Sequence, residues 1–313
     1  MANEVVHDLK GKTVALTGAL GLIGRPLHKL LIDEGAIVLP IDLRSGDCFR
    51  VDLNDYAETL DFFTNHKVDH VFHLAGKKGG ASTGRTQGLD FLTANVRCTM
   101  NLVEALVECG FKGRLLFTSS VGAYPGNLVI FEESQALDGE PHASDYYGGH
   151  GKRVGELLCR AAHEQHGLDF VTVRPTNCFG PWDTSRIETA MVITALIRRL
   201  EAGENPLVLT GNPETRRDFL YSECAAAGMI EAMRRGRITE IYNLGVGAHV
   251  SIRMVAEVLA DMYQRKLVIK ETHDAAPSFR LMDMEKTKSE LGFRATFSVE
   301  QLRETVEWAR ANK

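Results

Sequence analysis

The stretch TVALTGALGLIG, residues 13–24, decides the fold of this chain. It begins with an apolar run typical of a strand and leads into residues that are apolar at helical spacing, with Pro26 in the first helical turn. Between them stand Gly18, Gly21 and Gly24. A glycine can take positive φ in a tight turn, a second lets the backbone approach a pyrophosphate, and a third lets helix and strand pack closely. The stretch therefore predicts a dinucleotide-binding turn.

The residues after this turn indicate which dinucleotide is bound. The glycine spacing, G-x-x-G-x-x-G, is one residue longer in its first gap than the common pattern, and the helix N-terminus behind it suits phosphates. Asp42 ends the next predicted strand, 24 residues after Gly18, close to the spacing of the acid that binds ribose hydroxyls. A carboxylate there repels the 2′-phosphate of NADP, so NAD is the predicted cofactor, although the nearby Arg44 weakens this preference. The alternative is a glycine-rich turn beside a surface aspartate.

The first half of the chain alternates strand-like runs with amphipathic helices. Strands are expected at 13–17, 37–41, 69–74, 114–118 and 170–173, and a helix is expected at 92–109. Such alternation predicts an α/β fold with a doubly wound parallel Rossmann sheet, whose ligands bind at the carboxyl ends of the strands.

The texture of the sequence changes after Pro175, where loops become longer and richer in Gly, Pro and Asn. Helices are expected in this half at 187–202, 222–235, 251–264 and 298–312. We therefore divide the chain into an NAD-binding domain, 1–175, with a return segment near 216–248, and a smaller mixed α/β substrate-binding domain, 176–313.

Composition narrows the functional class. The 313 residues are 44% apolar and 25% charged, as in ordinary globular proteins, and the net charge of −5 gives no reason to expect nucleic acid or an anionic membrane as a partner. No apolar stretch approaches the roughly 20 residues of a membrane span, and the N-terminus does not resemble a secretory signal. The six cysteines show no C-x-x-C spacing. These features predict a cytoplasmic protein with reduced thiols and no metal site.

Six motifs occur in an order that resembles the extended short-chain dehydrogenase/reductase superfamily. They are TGALGLIG at 17–24, DL at 52–53, HLAG at 73–76, FTSS at 117–120, Tyr147 with Lys152, and RPTN at 174–177. Within the superfamily, the chain resembles the nucleotide-sugar epimerase/dehydratase family from about residue 12 to its C-terminus.

The resemblance implies roles for individual residues. In this family a tyrosine is the general base on a substrate hydroxyl, a lysine ammonium favours the phenolate, and a serine hydroxyl binds the reacting oxygen. By position these are Tyr147, Lys152 and Ser120. The implied NAD contacts are Gly18, Gly21, Leu22, Ile23, Gly24, Asp42, Asp52, Leu53, Leu74, Ala75, Gly76, Tyr147, Lys152 and Pro175.

Substrate contacts are implied in the same way. They are Lys78, Ser120, Asn177, Arg217 and Arg280, of which the two arginines suit a nucleotide diphosphate. The alternatives are a solvated basic loop for the lysine, a turn-forming asparagine, and surface salt bridges for the arginines.

One spacing departs from the family. The family pattern is Tyr-x-x-x-Lys, but Lys152 lies five residues after Tyr147 and six after Tyr146. Five residues are about 140° more than one full helical turn, which would separate the two side chains. The glycines between them predict an irregular first turn or a π-bulge that restores the pairing. Otherwise the chemistry is altered, with His150 or Tyr146 as a spare acid or base; the alternative for His150 is a surface histidine.

The residues after Ser120 exclude some reactions. Relatives that eliminate water carry an Asp-Glu pair there, decarboxylases carry a glutamate, and 3,5-epimerases and epimerase-reductases use a cysteine. This chain has Val-Gly-Ala at 121–123, none of which can move a proton. The resemblance therefore implies hydride removal and return, as in a 4-epimerase acting on a nucleotide-diphosphate sugar.

Two other functions remain open at this point: an NAD-dependent sugar or hydroxy-acid dehydrogenase, and a non-catalytic protein that binds NAD or a nucleotide sugar. Relatives pair through two helices of each subunit. The corresponding helices here, 92–109 and 147–166, predict a homodimer.

Overall fold

The structure is a computed structural model that describes residues 6–77, 87–183, 190–270 and 278–312. Lys78, a predicted substrate contact, lies outside these ranges. Within them, no helix is long and apolar enough to cross a bilayer. Nor do three or more His, Cys, Asp or Glu side chains of the described residues gather where they could hold a metal ion.

The core of the molecule is a seven-stranded parallel sheet with the order β12-β7-β5-β4-β1-β2-β3. With strands numbered along the chain, its members are β1 (Thr13–Thr17), β2 (Ile37–Asp42), β3 (Phe49–Arg50), β4 (His70–His73), β5 (Arg114–Thr118), β7 (Asp169–Pro175) and β12 (Ile241–Leu244). Every residue of β4 and β5 is buried, as expected when helices cover both faces of a sheet. The predicted doubly wound Rossmann fold is confirmed.

Five helices of the described residues cover the two faces of the sheet. One face packs against the helices Gly24–Asp33 and Ser222–Arg235. The opposite face packs against Tyr56–Asn65, Gly88–Glu108 and Tyr146–His166. The helix predicted at 92–109 thus begins four residues earlier than expected, at Gly88.

The rest of the second half builds a smaller layer around its own apolar cluster. Its helices are Val192–Glu201, Ile252–Met262 and Val299–Ala311, whereas the helix Glu285–Leu291 buries Leu291 in the cluster of the main sheet. Its short strands, with β6 from the first half, are β6 (Ile130–Phe131), β8 (Asn177–Phe179), β9 (Leu207–Thr210), β10 (Arg216–Arg217), β11 (Phe219–Tyr221), β13 (Val250–Ser251), β14 (Leu267–Lys270) and β15 (Phe279–Met282). Two of these helices begin at a capping serine: Ser251 accepts a hydrogen bond from the Met254 N–H, and Ser298 forms a capping box with Gln301.

Candidate cofactor and substrate cleft

The glycine turn after β1 is shaped so that side chains are excluded. Gly18 has φ of +71°, and a Cβ there would lie 2.9 Å from the Ala75 nitrogen. A Cβ on Gly24 would lie only 2.1 Å from the Gly18 carbonyl oxygen. The helix that follows has no side-chain cap on its N-terminal N–H groups. The turn therefore fits a dinucleotide, whose pyrophosphate can accept from those N–H groups.

Asp42 lies beside this turn, and both of its carboxylate oxygens accept hydrogen bonds. The two oxygens accept from the Leu20 N–H and from the backbone N–H, Nε and Nη2 of Arg44, each at 3.0 Å. Burial acts to raise the pKa of Asp42, but the hydrogen bonds from Arg44 and Leu20 hold it below its ordinary value. The carboxylate is therefore ionised and placed for ribose, and ribose hydroxyls would replace its Arg44 donors.

Two cavities of about 350 and 680 Å³ join at this turn to form one cleft along the carboxyl ends of the strands. Twelve of the fourteen predicted cofactor residues line it. Asp52 does not; its carboxylate accepts instead from the backbone and side-chain amides of Asn54, which lines the cleft itself. The other exception is Tyr147.

Two of the predicted catalytic residues meet in the smaller cavity. Lys152 Nζ donates to the Thr118 carbonyl oxygen at 2.7 Å and lies 5.3 Å from the centre of the Phe117 ring. Burial lowers the pKa of Lys152. Ser120 also lines this cavity, where its Oγ accepts from the Gly122 N–H at 3.1 Å and caps the 3₁₀ turn Val121–Ala123.

The structure does not bring Tyr147 to this cavity. The helix from Tyr146 to His166 is α-helical throughout, so the predicted irregular turn or π-bulge is wrong. The Tyr147 ring lies instead beside Gly88, where an added Cβ would meet its Cε2 at 2.4 Å. The ring is 39% exposed and does not line the described part of the cleft.

The two spare candidates also lie elsewhere. His150 Nε2 is 2.8 Å from the Glu140 carboxylate, and the Tyr146 ring packs edge-on against the His150 ring at 4.6 Å. Neither residue lines the described part of the cleft. The position agrees with the interpretation of His150 as a surface histidine.

The residue that faces the cleft one turn before Lys152 is Gly148. It lies four residues before the lysine, the spacing that puts two residues on one helix face. A Cβ on Gly148 would meet Phe91 Cε1 at 2.6 Å, so the ring of Phe91 occupies this part of the wall. The family's tyrosine spacing, counted back from the lysine, thus falls on a glycine.

The far end of the smaller cavity is basic. Arg280 lines it, and Arg217 is its partner in the register of β10 and β15. Burial and the neighbouring Arg280 lower the pKa of Arg217 to about 10, and its guanidinium donates to Ser278. Two adjacent like charges are stabilised by an anion. Asn177 also lines the cavity, and its amide donates to the Asp218 carbonyl oxygen at 3.0 Å.

Sequence reasoning missed Asn95, which shapes the middle of the cleft. Its side chain is buried, accepts from the Lys77 N–H at 3.0 Å and donates to the Lys77 carbonyl oxygen at 3.1 Å. It therefore fixes the segment after β4. A polar amide on the apolar stripe of a predicted helix was the available signal.

Two further residues were unexpected. Trp182 lines the larger cavity although no motif singled it out. Glu133 accepts from the Asn243 N–H at 3.0 Å, and burial raises its pKa.

Known proteins resemble the chain over most of its length. Residues 14–245 match the family described as NAD dependent epimerase/dehydratase. A probable GDP-L-fucose synthase of Oryza sativa is 29% identical over 307 residues, which cover 96% of this chain and 92% of that protein.

Solved structures also resemble the chain over most of its length. The UDP-N-acetylglucosamine 4-epimerase of Methanobrevibacter ruminantium is 27% identical with a TM-score of 0.81, over 97% of this chain and 100% of that one. The protein MoeE5, solved with UDP-glucose and NAD, is 28% identical with a TM-score of 0.80, over 96% of this chain and 99% of that one.

Proposed function

The chain belongs to the NAD-dependent epimerase/dehydratase family, and from that membership we propose that it is a nucleotide-sugar epimerase of the 4-epimerase type. It would remove a hydride from one carbon of the sugar and return it to the opposite face. One observation carries the proposal. A single cleft joins the dinucleotide turn to Lys152 and Arg280, and the residues after Ser120 offer no proton-moving side chain.

The residues of the larger cavity fit NAD. Gly18, Gly21 and Gly24 leave room for the pyrophosphate, and Asp42 accepts from the ribose hydroxyls. Lys152 and Pro175 extend the contact toward the smaller cavity. Bound NAD supplies the hydride acceptor for the first step and the hydride donor for the second.

The residues of the smaller cavity fit the sugar end of the reaction. Ser120 donates to the oxygen that becomes a carbonyl, and the Lys152 ammonium stabilises negative charge there. Arg280, with Arg217 beside it, binds the diphosphate, and Asn177 contacts the sugar.

The short turn after Ser120 argues against elimination. Val121, Gly122 and Ala123 form a 3₁₀ turn at the cavity wall, and none of them carries an acid or a thiol. A dehydratase needs a proton donor at the leaving hydroxyl, and a 3,5-epimerase needs an acid and a base at the carbon. Hydride removal and return needs neither at this position.

The names of the relatives support a nucleotide sugar as the substrate class. The name of the rice protein contains a GDP-linked sugar, and both solved relatives are named with UDP-linked sugars. The two arginines recognise the part that all these compounds share, which is the diphosphate. We therefore propose a nucleotide-diphosphate sugar, with UDP and GDP as the bases to test first.

We propose further that the protein is a homodimer. The helices Gly88–Glu108 and Tyr146–His166 pack together and expose Leu89 and Leu157, at 74% and 52%. The family resemblance implies pairing of subunits through these same two helices. Leu157→Asp is expected to halve the mass measured by sedimentation; an unchanged dimer would contradict the helix pairing.

The experiment is a screen of UDP- and GDP-linked hexoses with the purified protein and NAD. We expect one sugar to be converted to an epimer, seen by proton NMR, with no net rise in absorbance at 340 nm. Stoichiometric NADH release would indicate a dehydrogenase instead. Thermal stabilisation by a sugar nucleotide that is never converted would indicate a binding protein.

A further inference from the structure

The active cavity needs a proton acceptor, and the phenol that usually supplies it is missing from the described cavity wall. The helix face that carries Lys152 has Gly148 one turn earlier. Side chains on a helix point back toward its N-terminus, so the spot that a phenol from position 148 would cover lies over the preceding turn. Ser144 and Asp145 occupy that turn and line the cavity.

Asp145 stands close to Ser120 in this cavity. A Cβ built on Gly122 would be 3.5 Å from both the Ser120 Oγ and the Asp145 Cβ, and 3.9 Å from the Asp145 Cγ. The carboxylate and the hydroxyl therefore flank the same glycine. Ser120 is the residue proposed to bind the reacting oxygen, and Asp145 is the acidic residue among the described lining of the same cavity.

The carboxylate is held by its neighbours on one side. Ser144 Oγ lies 3.4 Å and Arg280 Nη1 lies 3.6 Å from Oδ2. Oδ1 has no hydrogen-bond partner among the residues that the structure describes. The backbone N–H of Asp145 donates to the His142 carbonyl oxygen at 2.8 Å, which fixes the start of the helix. One oxygen is thus anchored and the other is available to a ligand.

The residues around Asp145 hold its carboxylate in place. His142 Nδ1 is 2.8 Å from Ser144 Oγ, and burial together with the nearby Arg280 lowers the pKa of His142. The imidazole is therefore neutral at pH 7, and in the tautomer with its proton on Nδ1 it donates to Ser144 Oγ, which leaves the Ser144 hydroxyl proton for Asp145 Oδ2. Among the residues that the structure describes, the charged side chains nearest Asp145 are Arg280 and, beyond it, Arg217.

We propose that Asp145 is the general base of the epimerase reaction, in place of the tyrosine. This proposal rests on the proposed function. In the forward step the sugar O–H bond breaks and its proton goes to the Asp145 carboxylate. The C–H electron pair leaves with its hydrogen as hydride to the nicotinamide of NAD, and a C=O bond forms. The return step reverses each of these changes on the other face of the sugar.

A carboxylate suits this position because it presents proton-accepting oxygens to the cavity, whereas a phenol needs a neighbouring cation to act as a base. The one-residue offset between Tyr147 and Lys152 is then tolerated, since the lysine no longer has to ionise the tyrosine.

The test compares Asp145→Asn with Asp138→Asn, a matched change at an exposed aspartate outside the cleft. With the nucleotide sugar found in the screen, Asp145→Asn is expected to lower kcat by about 100- to 10,000-fold with KM changed less than threefold. Asp138→Asn should keep kcat within twofold. Asp145→Glu, which restores a carboxylate, should exceed Asp145→Asn at least tenfold and also guards against a folding defect.

A second readout separates catalysis from positioning. Calorimetry with UDP or GDP, whichever base the substrate carries, reports on binding of the diphosphate by Arg280 and Arg217 without the sugar or the reaction. Affinity within threefold of the wild type supports the general base. A loss of tenfold or more, with kcat retained at saturation, would show that Asp145 only positions Arg280.

Two outcomes would overturn the inference in different ways. If Asp145→Asn keeps its kcat while Tyr147→Phe loses 100-fold, the tyrosine is the base and only this inference fails. If the wild type converts no nucleotide sugar, the proposed function fails, and the inference fails with it.

Discussion

The two ends of the cleft are built in different ways. At the cofactor end, the binding groups follow the carboxyl ends of parallel strands, so the sheet fixes their positions. At the substrate end, they come from the first two turns of one helix, from the turn after β5 and from short strands of the smaller layer. The cofactor end keeps its family pattern, whereas the substrate end departs from it by one residue.

The sheet at the cofactor end and the helix at the substrate end respond differently to an inserted residue. Lys152 stays at the cleft because its ammonium is tied to the Thr118 carbonyl and because Gly155 packs on Phe117, where a Cβ would lie 2.4 Å from the ring. Tyr147, five residues earlier, is rotated by about 140° away from it and lies beside Gly88. In a helix, one inserted residue rotates the side chains that precede it about the helix axis, so that they face a different neighbour.

The largest effect is expected where the two ends meet. Lys152→Met keeps the apolar stem against Phe117 but removes the ammonium, and kcat/KM should fall by about 100- to 10,000-fold. Steady-state rates with the screened sugar nucleotide measure it, and Lys112→Met, at an exposed position, is the control. A loss under tenfold would mean that the lysine takes no part in the reaction.

The next effect tests the rigidity of the cofactor end. Gly24→Ala places a Cβ 2.1 Å from the Gly18 carbonyl oxygen, which must shift the turn. We expect the Kd for NAD, measured by calorimetry, to rise by about 100-fold or more. Gly139→Ala, whose Cβ would meet Pro125 at an ordinary 3.5 Å, should bind NAD as the wild type does. Equal affinity in both variants would contradict the packed turn.

A smaller effect concerns cofactor choice at the same end. Arg44 supplies three of the four donors to the Asp42 carboxylate, and its charge would also attract a 2′-phosphate. Arg44→Ala should therefore raise the ratio of NADP Kd to NAD Kd by about tenfold, with Arg50→Ala as the control. A fall in this ratio would show that Arg44 favours the binding of NAD over NADP.

The smallest effect is a pH dependence of stability beneath the cofactor end. His73 is buried between Thr17 and Thr99, and burial lowers its pKa to about 3. In the unfolded chain His73 binds a proton as the pH falls through about 6.5, whereas in the folded chain it stays neutral down to about pH 3. The contribution of His73 to the free energy of unfolding is therefore fully present above pH 6.5 and decreases as the pH falls.

Between pH 7 and pH 5.5, His73 should lower the free energy of unfolding by about 1.2 kcal/mol, measured by urea unfolding at each pH. His73→Gln should remove that part of the slope, while His166→Gln, at an exposed helix end, should keep it. An unchanged slope in His73→Gln would show that the imidazole is not neutral in the folded state.

The same comparison explains what could be predicted from sequence. The strands 13–17 and 114–118 and the placement of Asp42 follow from short continuous apolar runs that end at a fixed edge of the sheet. The sequence also showed that the spacing of Tyr147 and Lys152 is anomalous. It could not show the outcome, because that depends on whether the helix bulges, and packing decides this.

Other parts of the site were beyond sequence patterns for a similar reason. Asn95 and Asp145 act through contacts with segments 18 and 23 residues away along the chain, Lys77 and Gly122. Arg217 meets Arg280 only because two short strands pair across 63 residues. No local periodicity encodes such contacts.

The most direct test of the central claim is conversion of the screened nucleotide sugar in D₂O, with the product analysed by NMR and mass spectrometry. Hydride removal and return keeps the substrate's own hydrogen, so the inverted carbon should carry no deuterium. Deuterium bound to that carbon would show that inversion proceeds by deprotonation, and would contradict the account.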